Sequence, residues 1–177
     1  SSTITATTYP VRVMNVGQHF SPVSSSPELQ RALTTRGSTQ AMIRCCIGIM
    51  VYNEAANIGR LLEALTGMKT ETAQIDEIVV VSSGCIDETD EIVRDFEARD
   101  ARVRLITQDK RYGKASAVNL FLQSVRSEVI ILESGDTLPA EGSIDALVRP
   151  FADAHVGMVG GRPVPVNPTD TFMGFAV

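Results

Sequence analysis

The sequence IGIMVYNEAANIGRLLEAL, residues 47–65, combines the two patterns that decide the fold. Its apolar start continues a run, 43–52, of the kind that forms a strand buried on both faces of a sheet. After the polar turn Tyr52-Asn53-Glu54, apolar residues recur at positions 58, 61, 62 and 65, which is the spacing of one helix face. A strand followed by an amphipathic helix indicates the beginning of a βαβ unit.

The same alternation continues to residue 159. Apolar runs at 77–81, 103–107, 129–132 and 156–159 predict four further strands. Between them, apolar residues at helical spacing predict three more helices, carried by Ile92, Val93 and Phe96; by Val118, Phe121, Leu122 and Val125; and by Ile144, Leu147, Val148 and Phe151. Alternating strands and helices form a mostly parallel sheet with helices on both faces, so we expect a Rossmann-like α/β fold.

Length and composition are those of one globular domain with an extension. The chain has 177 residues, of which 44% are hydrophobic and 21% charged, and such a chain can bury a core. Residues 1–41 are rich in Ser and Thr, contain three prolines and show no amphipathic period. We therefore predict a mobile or loosely attached arm over 1–41 and a folded domain over 42–177.

Charge and cysteine content restrict the partners and the compartment. The formal net charge of −5 argues against nucleic-acid binding, which depends on neutralising phosphates. No run approaches the roughly 20 apolar residues of a membrane span, so no transmembrane segment is predicted. The three cysteines include an adjacent pair in an apolar run and lack metal-site spacing. They fit reduced, packed thiols and a cytoplasmic location.

Candidate binding residues follow the first two predicted strands, because ligands of parallel sheets bind at the carboxyl ends of strands. The first turn offers Tyr52, Asn53 and Glu54, and the second offers Ser83, Gly84 and Asp87. Most of these residues also have a purely structural interpretation. Asn53 and Asp87 can cap the helices that follow, Glu54 complements a helix dipole, and Gly84 suits a positive φ.

The third and fourth strand ends carry complementary charges. Lys110, Arg111 and Lys114 surround Gly113 at a predicted helix N-terminus, which is a natural phosphate site, although a solvated loop also explains them. Glu133, Ser134 and Asp136 follow the strand 129–132. Carboxylates there would bind Mg²⁺ or Mn²⁺ together with a diphosphate, and a solvated turn before Pro139 is the alternative. The sequence has no GxGxxG after the first strand, no P-loop and no GxSxG elbow.

Five segments in this order resemble the inverting family 2 glycosyltransferases of the GT-A fold over about residues 43–168. They are IGIMVYNEAANIGRLLEAL, IDEIVVVSSGCIDETDEIV, RYGKASAVNLFL, VIILESGDTLP and VGMVGGRPVPVN. The resemblance implies a nucleotide-sugar site in which Tyr52, Asn53, Glu54 and the turn 82–87 hold base and ribose. Gly113 and Lys114 would lie near the nucleotide. Asp136, assisted by Glu133, would bind Mg²⁺ or Mn²⁺ in the position of a DxD motif, which here reads Ser134-Gly135-Asp136.

The resemblance also implies a donor and an incomplete acceptor half. A UDP-sugar is the commonest donor of the family, but Ser82-Ser83 stands where the family usually has Asp-Asp, and this turn could suit GDP, TDP or a lipid-phosphate donor. The general base is expected beyond Val177, so we expect a chain truncated at its C-terminus that carries the donor-binding half. Its apolar end, residues 172–177, would serve homo-oligomer formation, and the protein would lie in the cytoplasm or at the cytoplasmic membrane face.

Two other functions remain open from the sequence. A sugar-1-phosphate nucleotidyltransferase shares the fold class, but it would have a glycine-rich loop where this chain has VYNEAANIG. A non-catalytic nucleotide- or phosphate-binding module would accommodate Ser82-Ser83 and the missing base. The acceptor and the transferred sugar are not indicated by any residue pattern.

Overall fold

Strands and helices alternate throughout residues 42–161, the part of the chain that the computed structural model describes. The predicted arm 1–41 and the apolar end 172–177 lie outside these residues. The elements are β1 (Ile43–Val51), α1 (Ile58–Gly67), β2 (Ala73–Ser83), α2 (Thr89–Arg99), β3 (Val103–Gln108), α3 (Lys114–Ser124), β4 (Val129–Ser134), α4 (Ser143–Val148) and a 3₁₀ helix (Arg149–Ala152).

The four strands form one sheet in the order β3-β2-β1-β4, and every neighbouring pair is parallel. The chain moves from β1 to β2 and β3 in one direction and then crosses to β4 on the other side of β1. The predicted parallel α/β fold is thereby confirmed. A crevice is expected where the strand order reverses, at the carboxyl ends of β1 and β4.

Two apolar cores cover the two faces of the sheet. On one face, α1, α2 and α4 pack through residues such as Leu61, Val93 and Ile144 against the strands. On the other face, α3 packs through Ala117 and Phe121. The prediction of helices on both faces is therefore confirmed.

The adjacent cysteines of β1 contribute one side chain to each core, because successive strand residues point to opposite faces. Burial raises the pKa of the Cys45 thiol to about 11 and that of Cys46 to about 12. Both thiols are therefore protonated at neutral pH and act as small apolar side chains, as their apolar surroundings in the sequence predict.

Gly48 of β1 allows α3 to pack closely against the sheet. A Cβ atom at Gly48, in the middle of β1, would lie 2.7 Å from the ring of Phe121. Glycine therefore leaves the space that this fully buried ring occupies. The contact brings the N-terminus of α3 to the carboxyl edge of the sheet.

Three sequence predictions about the elements need correction. The predicted strand at 156–159 is wrong: these residues pair with no other strand of the described range, and Met158 is 72% exposed. Strand β2 starts at Ala73 rather than 77, since its first residues alternate between buried and exposed positions. Leu122 is exposed, because α3 buries the narrower face formed by Ala117 and Phe121.

Candidate functional site

A cavity of about 260 Å³ lies at the carboxyl edge of the sheet, where the strand order reverses. Its walls come from the end of β1, the end of β2, the N-terminus of α3 and the turn after β4. The lining residues are Met50, Val51, Tyr52, Glu54, Ser83, Arg111, Gly113, Lys114, Ala117, Ser134, Gly135 and Asp136.

The turn after β1 presents Tyr52 and Glu54 to the cavity but not Asn53. Asn53 has a φ of 55°, and its side-chain oxygen accepts a hydrogen bond of 2.9 Å from the backbone N–H of Ile86. Its own N–H lies 3.1 Å from the Cys85 sulfur. The expectation that Asn53 caps the next helix is wrong, because α1 starts only at Ile58, and Asn53 connects the first two turns instead.

Asp87 is a second connection between these turns. Its carboxylate accepts hydrogen bonds from the Thr89 hydroxyl at 2.6 Å and from the backbone N–H of Ala55 at 3.1 Å. These bonds, the one from the Thr89 hydroxyl above all, lower the pKa of Asp87. The Thr89 hydroxyl in turn accepts a bond of 2.9 Å from the N–H of Glu54. Asp87 is therefore behind the cavity wall, where it supports the turn that carries Glu54.

Gly84 and Gly113 have the backbone conformations that their loops require. Gly84 has a φ of 66°, as predicted, and a Cβ atom there would lie 2.6 Å from the Cα atom of Lys110. It therefore lets the second and third loops touch. Gly113 has a φ of 89° and lines the cavity immediately before α3. Both positions strongly favour glycine.

Two of the three predicted cations line the cavity. Arg111 lies over the ring of Tyr52 at 4.2 Å, and Lys114 places its Nζ atom 3.4 Å from the Ser134 hydroxyl. The third, Lys110, lies over Tyr112 at 5.1 Å and is not a lining residue. Gly113 and Lys114 lie at the N-terminus of α3 and line the cavity, so the positive end of the helix dipole adds to its positive potential.

The turn after β4 divides the predicted acidic residues between two faces. Ser134 and Asp136 line the cavity. Glu133 lies on the opposite face of the strand from Ser134, does not line the cavity, and accepts a hydrogen bond of 3.0 Å from the Thr137 hydroxyl. The structure therefore brings Asp136 to the site and leaves Glu133 outside it.

Comparison with known proteins identifies the family. A model described as glycosyl transferase family 2 matches residues 46–176, which is most of the chain. The chain belongs to this family. Its parallel sheet with flanking helices is part of the GT-A fold, so the predicted fold class is confirmed.

Individual relatives of this family 2 chain are distant and longer. It is 29% identical to glycosyltransferase AglE of Haloferax volcanii over 64% of this chain and 37% of that protein. It is 29% identical to glycosyltransferase GlyG of Streptococcus pneumoniae over 60% of this chain and 36% of that protein. The chain thus spans little more than a third of the length of these curated relatives.

A solved structure supports the same assignment. The mannosyltransferase PcManGT from Pyrobaculum calidifontis, determined in complex with GDP-Man and Mn²⁺, matches with a TM-score of 0.59 and 25% identity. The match covers 73% of this chain and 39% of that chain. No helix within residues 42–161 of this family 2 chain is long and apolar enough to cross a membrane.

The sequence predicts most of the polar residues that line the cavity, but it does not single out two lining residues, Arg111 and Gly135. The cavity gathers the predicted residues Tyr52, Glu54, Ser83, Gly113, Lys114, Ser134 and Asp136. Arg111 was predicted only as one of three cations, and its stacking on Tyr52 leaves no signal in the sequence. Gly135 was not predicted as a lining residue, although a glycine directly after a buried strand is a usable signal for a close backbone approach.

The donor set of the cavity fits a divalent ion that is bound together with a phosphate. Asp136 and Glu54 are its two carboxylates, and the Glu54 carboxylate accepts a bond of 3.0 Å from the Asn57 amide. Among residues 42–161, no group of three or more His, Cys, Asp or Glu residues could hold a metal. Mg²⁺ and Mn²⁺ typically use one or two carboxylates and complete their shell with phosphate and water.

Proposed function

We propose that this chain is the donor-binding part of a glycosyltransferase that transfers a sugar from a nucleotide-diphosphate sugar to an acceptor. The observation that carries the proposal is the cavity between β1 and β4, which combines Asp136, two cations and a helix N-terminus. These groups match a diphosphate with a divalent ion. Ser83 and Tyr52, further along the same cavity, supply the contacts that a nucleoside requires.

Each wall of the cavity has a distinct role in this proposal. Lys114, Arg111 and the N–H groups of α3 bind the diphosphate, because cations and free N–H groups both attract phosphate. Tyr52 and Glu54 contact the nucleoside. Asp136 holds Mg²⁺ or Mn²⁺, which, when bound, stabilises the charge that develops on the departing diphosphate.

The residues behind the wall take part indirectly. Asn53 and Asp87, which the resemblance assigns to the nucleotide site, act here as positioning residues for the turn that carries Tyr52 and Glu54. Gly84, which the resemblance also assigns to that site, lets the second loop approach the third loop, which carries Arg111. Glu133 has no proposed contact with the metal. The base that deprotonates the acceptor is assigned to no residue of the described range.

The donor is proposed to be a UDP-sugar, as the commonest donor of the family. PcManGT, in complex with GDP-Man and Mn²⁺, supports the broader class of nucleotide-diphosphate sugars and the use of a divalent ion.

Calorimetric titration tests the proposal. UDP and GDP are titrated into the wild type with Mn²⁺ and with EDTA, and into Asp136→Asn with Mn²⁺. We expect binding to the wild type with Mn²⁺, and a loss of most of this affinity in EDTA or in Asp136→Asn, because the carboxylate and the ion act together. The matched control is Glu141→Gln, which changes an exposed carboxylate of the same loop and should bind like the wild type.

Two results would contradict the proposal. If the wild type binds equally well in EDTA, no divalent ion bridges the protein and the diphosphate. If neither nucleotide binds under any condition, the cavity is not a donor site. Circular dichroism of each variant establishes that a loss of binding does not come from unfolding, and we expect little change because Asp136 is exposed.

A further inference from the structure

The sheet has an open edge at β3, which pairs with β2 and with no other strand of the described part of the chain. In a parallel pair, every second residue of a strand directs both its N–H and its C=O group to the neighbouring strand. The carbonyl groups of Arg102 and Gln108 accept hydrogen bonds from the side of β2. The backbone groups of Val103, Leu105 and Thr107 therefore point away from the sheet, where a strand of another chain could bind them.

The composition of β3 favours such strand addition. Its sequence, VRLITQ, is rich in β-branched and other apolar residues, contains no proline and has Arg104 as its one charged residue. The Arg104 guanidinium donates to the Glu77 carboxylate and to the carbonyl group of Ser124, both at 3.1 Å, and these bonds hold it at the end of α3. A cavity of about 250 Å³ opens at the start of β3 and is lined by residues 101–104 in succession, so the strand is accessible from outside.

One side chain covers the middle of this open edge. Glu97 lies near the end of α2, and its Oε1 atom accepts a hydrogen bond of 3.2 Å from the backbone N–H of Leu105. The N–H of Val103 is bonded to the carbonyl group of Asp100 at 2.9 Å. Two of the three N–H groups that point away from the sheet are thus occupied, and a strand approaching β3 would have to displace Glu97 before it could bind the N–H of Leu105.

The packing of α2 on the sheet explains how Glu97 reaches this position. Phe96, the preceding residue of the helix, and Leu105 of β3 both pack against the same apolar core. Glu97 is exposed, so its side chain extends along the edge of the strand and not into the core. The contact with Leu105 therefore follows from a helix position that the core already fixes.

The charge of Glu97 adds to the effect of its hydrogen bond. Two arginines line the cavity at the start of β3 together with Glu97. Arg102 pairs with Asp100 at 2.6 Å, and Arg104 pairs with Glu77 at 3.1 Å. Glu97 forms no ion pair with another residue of the described range. A strand added to β3 would bury this carboxylate without a cation, and the burial of an unpaired charge is costly.

We infer that Glu97 is an autoinhibitory contact that keeps the open edge of β3 from adding a strand of a second copy of this chain. A second copy is the partner that fits, because two β3 strands related by a two-fold axis can pair antiparallel through identical residues. Glu97 occupies the N–H of Leu105 and places a charge where the second strand would lie. Neither residue lines the donor cavity, so removing the contact should leave nucleotide binding unchanged.

Hydrogen exchange of the Leu105 amide and sedimentation velocity test this role on the chain of 177 residues. Glu97→Ala removes the carboxylate from an exposed helix position that alanine favours. At low protein concentration we expect the Leu105 amide of this variant to exchange about tenfold or more faster than in the wild type, because a bond to a charged group is lost. At high concentration the variant should associate and regain protection of this amide, and the wild type should show neither change.

Three further variants separate this edge from other surfaces. Glu97→Gln keeps an oxygen acceptor, so it should protect the Leu105 amide nearly as the wild type does and associate less than Glu97→Ala. Glu91→Ala, which removes another exposed carboxylate of α2, should match the wild type in both measurements. Thr107→Pro, added to Glu97→Ala, should abolish the association, because proline offers no N–H at an exposed position of the same edge.

Three results would overturn this role of Glu97. Equal exchange of the Leu105 amide in the wild type and in Glu97→Ala would show that the carboxylate does not protect it. If Glu97→Ala associates no more than the wild type at any concentration, or if Thr107→Pro leaves its association unchanged, Glu97 does not guard the edge of β3. Association of the wild type with protection of residues 103–107 would show that the edge accepts a strand in spite of Glu97.

Discussion

At Gly135, the turn after β4 approaches the turn after β1 more closely than any side chain would allow. A Cβ atom there would lie 2.8 Å from Cγ1 of Val51 and 3.0 Å from Cγ of Glu54. Both neighbours line the cavity. The absence of a side chain at one residue therefore allows the cavity walls from β1 and β4 to meet.

We predict that Gly135→Ala weakens UDP binding in the presence of Mn²⁺ and lowers the free energy of unfolding by about 1–3 kcal/mol, the usual cost of overpacking. Calorimetry and urea denaturation measure the two effects. Gly67→Ala is the control: it lies at the end of α1, a Cβ atom there would have no neighbour within 4 Å, and alanine favours helix. Wild-type affinity in Gly135→Ala would show that the two turns are free to move apart.

We predict that Lys114 contributes less to UDP binding than Asp136 does. We expect Lys114→Met to weaken UDP binding by roughly tenfold to a hundredfold, because a hydrogen bond to a charged group contributes about 1.5–3 kcal/mol. The loss should be smaller than that of Asp136→Asn, which removes the contact to a doubly charged ion. Lys110→Met is the control in the same loop, since Lys110 lies over Tyr112 outside the cavity lining. A larger effect of Lys110→Met than of Lys114→Met would reverse the assignment of the phosphate contact.

At the scale of elements, hydrogen bonds join the turn after β1 to the turn after β2. Thr89, fully buried at the start of α2, accepts a hydrogen bond from the N–H of Glu54 and donates one to Asp87. Asp87 reaches back to the N–H of Ala55. The turn that carries Tyr52 and Glu54 therefore depends on a helix more than thirty residues further along the chain.

We predict that Thr89→Val, which keeps the shape and removes the hydroxyl, destabilises the protein by about 1–3 kcal/mol through unpaired polar groups. It should also weaken UDP binding, because the Glu54 turn loses its support. Thr89→Ser keeps the hydroxyl and should bind UDP as the wild type does. Urea denaturation and calorimetry measure both variants, and equal behaviour of Thr89→Val and wild type would contradict the role of this contact.

The elements also show what a sequence can and cannot predict. The predicted positions of β3 and of the start of β4 agree with the structure to within a residue, because both segments are rich in β-branched and other apolar residues that favour strands. The run 156–159 is equally apolar but has no partner strand among residues 42–161, and pairing is not a local property.

The candidate site was predictable to a similar degree. The carboxyl ends of parallel strands lie at one edge of a sheet, and this rule predicts that one cavity contains Ser83, Lys114 and Asp136. The supporting contacts of Asn53 and Asp87 were not predictable, since they join residues that are 33 and 32 positions apart in the chain. Such contacts depend on backbone N–H groups, which every residue type except proline provides.

At the scale of the whole molecule, the buried charge of residues 42–161 is Asp145 of α4, at the opposite end of the strands from the cavity. Its carboxylate accepts hydrogen bonds of 2.8–2.9 Å from the backbone N–H groups of Glu71, Thr72 and Ala73, and one of 2.8 Å from the Thr72 hydroxyl. Burial alone would raise the pKa of Asp145, but these bonds outweigh it and lower the pKa from 3.8 to about 2. Asp145 thereby holds α4 to the start of β2.

The lowered pKa of Asp145 leads to a prediction about stability in acid. Because the carboxyl group binds its proton more weakly in the folded than in the unfolded chain, its contribution is complete above about pH 4 and is lost as the pH falls to about 2. A shift of this size corresponds to about 2 kcal/mol. We therefore expect Asp145→Asn to lower the free energy of unfolding by about 2 kcal/mol at neutral pH and to differ less from the wild type with each step into acid. Urea denaturation across this range measures the difference, with Asp95→Asn, an exposed position on α2, as a control that should stay within about 0.5 kcal/mol of the wild type. A difference between Asp145→Asn and wild type that does not change with pH would mean that the carboxylate acts through its shape and not through its charge.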